Sequence, residues 1–140
     1  MRLERQFDVQ QSAGASSRIA ARDETLRNLF PDASTEIIER EDQKRTTRTH
    51  YTVLGRPGVA TFHFVMLSEG SISFEKVCDG NVWQELSGKV LFCERGAGTR
   101  VTLQMTGRTK TFVPELAIRG PLQDQIEQMA TALQACIEAG

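Results

Sequence analysis

Residues 121–137 read PLQDQIEQMATALQACI, and this stretch decides how the rest of the chain can fold. Glutamines and acidic residues separate apolar residues that recur at spacings of three and four, which is typical of an amphipathic α-helix. The apolar positions are Leu122, Ile126, Met129, Leu133 and Ile137. We predict a helix of about five turns that begins after Gly120-Pro121 and ends at Gly140.

Upstream of this helix, turn signals such as Gly55-Arg56-Pro57-Gly58 and Asp79-Gly80-Asn81 separate a series of predicted β-strands. The strands cover residues 33–41, 45–54, 59–67, 71–78, 82–93 and 99–108. A further strand opens the chain, where Leu3, Arg5, Phe7 and Val9 alternate with polar residues. Because each turn joins neighbouring strands, we expect a seven-stranded antiparallel meander.

Two brief helices are predicted between the first strand and the meander, over residues 12–30. Asp23 is a plausible cap for the second of them, and both end before Pro31. The sequence therefore predicts one α+β domain over residues 1–140. In it, a curved antiparallel sheet of seven strands wraps around a long C-terminal helix, and two short helices follow the first strand.

Composition and charge limit the class of partner. A net charge of -1 gives no basic excess that would attract nucleic acid, so we expect no nucleic-acid partner. No stretch approaches the roughly 20 apolar residues of a membrane helix, and the N-terminus has no apolar leader, so neither membrane insertion nor export is expected. Cys78, Cys93 and Cys136 are odd in number and widely spaced, which indicates core thiols in a reducing cytoplasm.

The predicted sheet is too wide for one helix to cover. Seven strands span roughly 30 Å, whereas a helix with its side chains is about 10 to 12 Å wide. The sheet can bury its apolar face only by curling around the helix, and we expect a gap along its concave face. This gap is the predicted ligand cavity.

Hairpin pairing predicts which residues face that cavity. A hairpin centred on Arg56-Pro57 pairs Tyr51 with Phe62, Thr49 with Phe64 and Thr47 with Met66, and the last hairpin pairs Val90 with Leu103 and Phe92 with Val101. We predict that ten residues line the cavity: Tyr51, Phe62, Phe64, Met66, Val90, Phe92, Leu103, Met105, Met129 and Leu133.

Three polar features leave alternatives open. The same register places His50 directly across from His63, which could begin a metal site or form an outward polar pair, and no third ligand is evident. Arg40, Lys44, Arg45 and Arg48 could bind a phosphate or an acidic partner, or form a solvated hairpin tip. Arg5 lies in an apolar row, where it could anchor a ligand carboxylate, pair with a Glu or be exposed at the strand end.

Motifs of catalysis and nucleotide binding are missing from the sequence. There is no GxSxG elbow, and Gly96-Ala97-Gly98 matches no phosphate-binding glycine pattern. We therefore assign no catalytic residue, no metal and no cofactor.

The order of elements resembles the helix-grip fold of the START and SRPBCC superfamily, which includes the polyketide cyclase-like and coenzyme Q-binding families. Three stretches carry the resemblance: residues 12–32, Gly98-Thr99-Arg100-Val101-Thr102-Leu103, and residues 121–137. It implies a cavity between sheet and helix that binds a lipid, a quinone or a polyketide-like molecule. It implies no activity, because the superfamily has no universal catalytic motif.

We therefore expect a protein that binds a hydrophobic small molecule. Two alternatives stay open. One is an enzyme of the cyclase or hydrolase kind that uses Tyr51, a histidine or Arg5. The other is a protein-interaction module that uses the sheet exterior or the basic hairpin.

Overall fold

A computed structural model describes residues 1–53 and 55–140 of the chain. The elements are β1 (Arg2–Val9), α1 (Ala13–Ala20), α2 (Asp23–Arg27), β2 (Ser34–Glu41), β3 (Lys44–Val53), β4 (Arg56–Met66), β5 (Ile72–Lys76), β6 (Trp83–Arg95), β7 (Gly98–Thr109) and α3 (Glu115–Ala139). Leu54, the predicted end of the third strand, lies outside the described residues. The order of elements confirms the predicted α+β fold.

The seven strands form one curved antiparallel sheet in the order β1-β7-β6-β5-β4-β3-β2. Strands β2 to β7 pair in chain order, which confirms the meander, and β1 pairs with β7. The predicted pairs Val90 with Leu103 and Phe92 with Val101 are both present.

The predicted register between β3 and β4 is wrong by four residues. Tyr51 pairs with Gly58, Thr49 with Ala60 and Thr47 with Phe62, because the chain reverses between Val53 and Arg56, which pair with each other, and not at Arg56-Pro57. Gly55 has a φ of 75°, a left-handed conformation that favours glycine at this turn. Since the error is an even number of residues, the side chains remain on their predicted faces.

Helix α3 begins at Glu115, so the prediction that it starts after Gly120-Pro121 is also wrong. Pro121 lies inside the helix, on an exposed turn where the loss of one amide hydrogen bond is least costly. Gly120 has no Cβ, so it avoids the clash with the proline ring that disfavours a helical residue before proline. The first seven residues of α3, 115–121, therefore precede the predicted start of the helix.

The apolar face of α3 packs on the inner face of the sheet, mainly against β1 and β7. All five predicted apolar positions of this helix are buried. Farther across the sheet, a row of phenylalanine rings fills the space that the helix does not reach. The centroids of neighbouring rings are 5.8 Å apart for Phe30 and Phe62, 6.2 Å for Phe62 and Phe64, and 5.6 Å for Phe64 and Phe74.

Candidate ligand-binding groove

The deep interior between the sheet and the C-terminal half of α3 is closely packed. Its void has a volume of about 10 Å³ and is lined by apolar side chains of α1, α3 and the sheet. A void of this size has room for at most about one water molecule. Any larger guest must lie elsewhere in the described part of the chain.

A groove of about 590 Å³ opens at the end of the molecule where α3 begins. This volume lies within the range of about 300 to 1,000 Å³ that is typical of small-molecule sites. The groove is lined by Thr49, Tyr51 and Thr52 of β3, Val59, Ala60 and Phe62 of β4, Trp83 and Leu86 of β6, six residues of α3 (Ile118, Pro121, Leu122, Asp124, Gln125 and Gln128), and by Phe30, Asp32, Ala33, Lys76 and residues 79–82.

The groove has an apolar floor. Ala60, Phe62, Leu86 and Leu122 are all buried and belong to the same hydrophobic cluster as the core. The floor is therefore continuous with the packed interior, so a hydrophobic guest would extend the core outward.

The mouth of the groove exposes apolar side chains that the fold does not cover. Tyr51 is 38% and Val82 is 36% exposed. Exposed large apolar groups that gather around one depression are typical of interaction sites in soluble proteins. A ligand that enters the groove would shield part of this surface from water.

Two glycines make room for the aromatic rings of the groove. A Cβ on Gly58 would clash with Cζ of Tyr51, so the tyrosine ring lies across β4 only because residue 58 has no side chain. A Cβ on Gly107 would lie 2.6 Å from Cζ3 of Trp83. Both rings therefore lie close to the backbone of the neighbouring strand.

Polar groups surround the floor. Asp32, Asp79 and Asp124 contribute carboxylates, and Lys76 contributes an ammonium whose Nζ donates to the carbonyl of Val77 at 3.2 Å. Thr49 is buried, and its hydroxyl is hydrogen-bonded to that of Thr35 at 2.9 Å. The groove thus combines an apolar floor with a small number of polar groups, as small-molecule sites do.

The structure places the ten residues predicted to line the cavity in different environments. Tyr51 and Phe62 line the groove. Five others surround the small void of the core: Phe64, Val90, Leu103, Met129 and Leu133. Met105 is buried in the core, while Met66 and Phe92 are half-buried beside it. Contact of any of these residues with a ligand stays a prediction.

Sequence reasoning missed most of the groove wall, including Trp83, Val82, Ile118 and Asp124. Residues 79–81 form a predicted turn and Val82 opens the predicted strand 82–93, so the hairpin pairing assigned none of them to the cavity. Ile118 precedes the predicted start of the helix. A solitary tryptophan beside a Gly-Asn turn was the available signal, because large aromatic side chains are common at binding sites.

The two histidines lie on the outer face, and the prediction that they face each other is wrong because of the shifted register. His50 pairs with Val59, and its Nε2 lies 3.3 Å from Oε1 of Glu36. His63 pairs with Thr46, and its Nδ1 lies 2.9 Å from the threonine hydroxyl. Within residues 1–53 and 55–140, no group of three His, Cys, Asp or Glu side chains could hold a metal ion.

Most of the other charged candidates form ion pairs. Nε of Arg5 lies 2.6 Å from Oε2 of Glu127 on α3. Asp23 binds both Arg40, at 2.6 Å, and Arg45, at 3.1 Å. The hydrogen bond from Arg40 is the main cause that lowers the pKa of Asp23. Two of the four basic side chains of the hairpin are therefore already paired.

The cysteines are all free thiols. Cys78 and Cys136 are half-buried, but Cys93 is exposed, so the prediction of three core thiols is wrong for Cys93. It pairs with Arg100, on the outward-facing side of β6 and β7.

Across the described part of the chain, no helix is both long enough and apolar enough to cross a membrane.

Comparison with solved structures confirms the resemblance of fold. The protein TTHA0849 from Thermus thermophilus is similar at a TM-score of 0.79 and 19% identity, over 99% of this chain and 98% of that one. The ZhuI aromatase/cyclase from Streptomyces sp. R1128 is similar at a TM-score of 0.78 and 16% identity, over 99% of this chain and 92% of that one. A START superfamily protein from Mycobacterium smegmatis is similar at a TM-score of 0.77 and 18% identity, over 99% of this chain and 97% of that one.

These likenesses establish the helix-grip fold for this chain. No protein-family model and no curated protein matches the sequence.

Proposed function

We propose that the protein binds a hydrophobic small molecule in the groove between the sheet and the first half of α3. The observation that carries the proposal is the 590 Å³ groove, whose apolar floor continues the core. Similar structures include a START superfamily protein and an aromatase/cyclase, which supports a small-molecule role for this fold. Proteins of one fold have many different functions, so the proposal rests on the groove.

The apolar groups of the groove give the energetic reason for binding. Burial of apolar surface is worth about 25 cal/mol per Å². A lipid-like, quinone-like or polyketide-like molecule would cover the rings of Tyr51 and Trp83, which water now contacts. The glutamines Gln125 and Gln128 would then offer hydrogen bonds to polar atoms of the same molecule.

An enzyme of the cyclase kind needs at least two titratable side chains that converge on the substrate. The titratable groups of the groove are Tyr51, Asp32, Lys76, Asp79 and Asp124, and they form no hydrogen bond or salt bridge with one another in the described part of the chain. Both histidines face away from the groove. The geometry therefore favours binding over catalysis.

Extraction of the purified protein with organic solvent, followed by mass spectrometry, tests the proposal. We expect a hydrophobic molecule to be recovered from the wild-type protein and to be depleted in Ala60→Phe, which places a ring on the groove floor. Ala135→Phe, at an exposed position of α3 outside the groove, is the matched control. Equal recovery from both variants would refute the assignment of the ligand to the groove.

A further inference from the structure

The charges of the groove are unbalanced. Three carboxylates, of Asp32, Asp79 and Asp124, face one ammonium, of Lys76, which leaves a formal charge of -2 on the lining. The chain as a whole carries only -1. The lining of the groove is therefore more negative than the chain as a whole.

The carboxylates of the groove lack the ion pairs that some other acidic groups of the chain form. Asp8 binds Arg100, Asp23 binds Arg40 and Arg45, and Glu127 binds Arg5. Asp32, Asp79 and Asp124, by contrast, form no salt bridge with any residue that the structure describes. Their charge is left for water or for a ligand.

Nearby cations do little to compensate. The ammonium of Lys76 already donates to a backbone carbonyl, and Lys110 donates to the carbonyl of Gly80 at 2.5 Å without lining the groove. Arg119 follows Ile118 on α3 but is not part of the lining. A carboxylate head group on a ligand would thus meet three like charges, one partly engaged cation in the lining and a second, also engaged, beside Gly80.

From this charge pattern we infer that the groove selects neutral or cationic amphiphiles and discriminates against anionic ones such as fatty acids. The inference rests on the proposed function and names the ligand class for the same groove. An anionic head loses hydration near like charges without gaining a full ion pair, whereas an amine gains carboxylate neighbours. Because the three carboxylates are exposed, each contributes modestly and is screened by salt.

Displacement of a neutral dye, N-phenyl-1-naphthylamine, by decanol, decylamine and decanoate tests the inference. The three competitors share one alkyl chain and differ in the charge of the head group at neutral pH. We expect decylamine to displace the dye at a concentration about fivefold or more below that of decanoate, with the difference shrinking as salt is added.

The outcomes separate the inference from the proposed function. Displacement by decanol, together with decanoate binding as tightly as decylamine, would overturn the inference and leave the function standing. No binding of the dye or of any competitor would refute both.

A pair of double variants locates the effect. Asp79→Asn with Asp124→Asn removes two charges from the groove, and we expect it to reduce the preference for decylamine at least twofold. Asp42→Asn with Glu138→Gln removes two charges from exposed positions outside the groove and should leave the preference unchanged. An equal change in both would show that net charge, and not the groove, sets the selectivity.

Discussion

The indole ring of Trp83 lies against the α-carbon of Gly107 on the neighbouring strand. A Cβ at residue 107 would approach Cζ3 of Trp83 to 2.6 Å and Cδ1 of Leu86 to 2.9 Å. Because both side chains line the groove, this glycine determines the shape of its wall. Trp83 is also the only tryptophan of the chain, so its fluorescence reports on this one place.

We expect Gly107→Ala to lower the free energy of unfolding by about 1 to 3 kcal/mol, the usual cost of overpacking, and to shift the Trp83 emission. Gly80→Ala is the control, since a Cβ there meets nothing within 4 Å. Denaturant unfolding followed by fluorescence measures both quantities. An alanine at residue 107 that changes neither would show that the ring does not pack on this strand.

Phe62 should contribute far more to stability than Phe112. Phe62 is 4% exposed and packs between Phe30 and Phe64, whereas Phe112 is 96% exposed. We expect Phe62→Ala to cost about 3 to 5 kcal/mol and Phe112→Ala less than about 0.5 kcal/mol in chemical denaturation. Similar costs for the two would contradict the described row of rings.

The ion pairs of Asp23 predict an acid-sensitive contribution to stability. Its folded-state pKa is lowered from the usual 3.8, mainly by the hydrogen bond from Arg40. The contribution, about 1 kcal/mol, is therefore complete above that usual value and is lost as the pH falls through the lower folded-state pKa. Asp23→Asn should be less stable than wild type at neutral pH, and the gap should close in acid.

Unfolding curves measured at several pH values test this, with Asp42→Asn as the control. Asp42 is exposed in a turn and has a φ of 48°, a conformation that asparagine also adopts. A gap between wild type and Asp23→Asn that persists below the folded-state pKa would contradict the assigned ion pairs.

Pro121 should weaken the first turns of α3. Pro121→Ala restores an amide donor and removes the ring from the helix interior, so we expect slower amide exchange in residues 115–120 and a gain in unfolding free energy of about 1 to 3 kcal/mol. Thr131→Ala, exposed on the same helix, improves helix propensity alone and should not slow exchange in that segment. Equal exchange in both variants would contradict a continuous helix through Pro121.

Much of the fold follows from periodicity in the sequence. The spacing from Leu122 to Ile137 and the alternation of strand residues predict the helix, the meander and the buried faces, because burial requires those periods. The β3–β4 register was missed because Arg56-Pro57 and Gly55 offer competing turn sites, and only the left-handed conformation of Gly55 decides between them.

The position of the groove could not be predicted in the same way. It depends on how far α3 extends beyond Pro121 and on how the phenylalanine row fills the width of the sheet. Both are tertiary properties of residues distant in sequence. The estimate that one helix is too narrow for seven strands predicted spare space, but it could not predict that Phe30, Phe64 and Phe74 occupy most of it.

Titration with N-phenyl-1-naphthylamine, followed by Trp83 emission, shows whether the groove takes up a hydrophobic molecule. We predict a saturable fall in emission as the dye enters the groove, abolished in Ala60→Phe and retained in Ala135→Phe, with both variants first shown to unfold cooperatively. A change in emission that does not saturate, or a dye affinity that is the same in the two variants, would contradict binding in the groove.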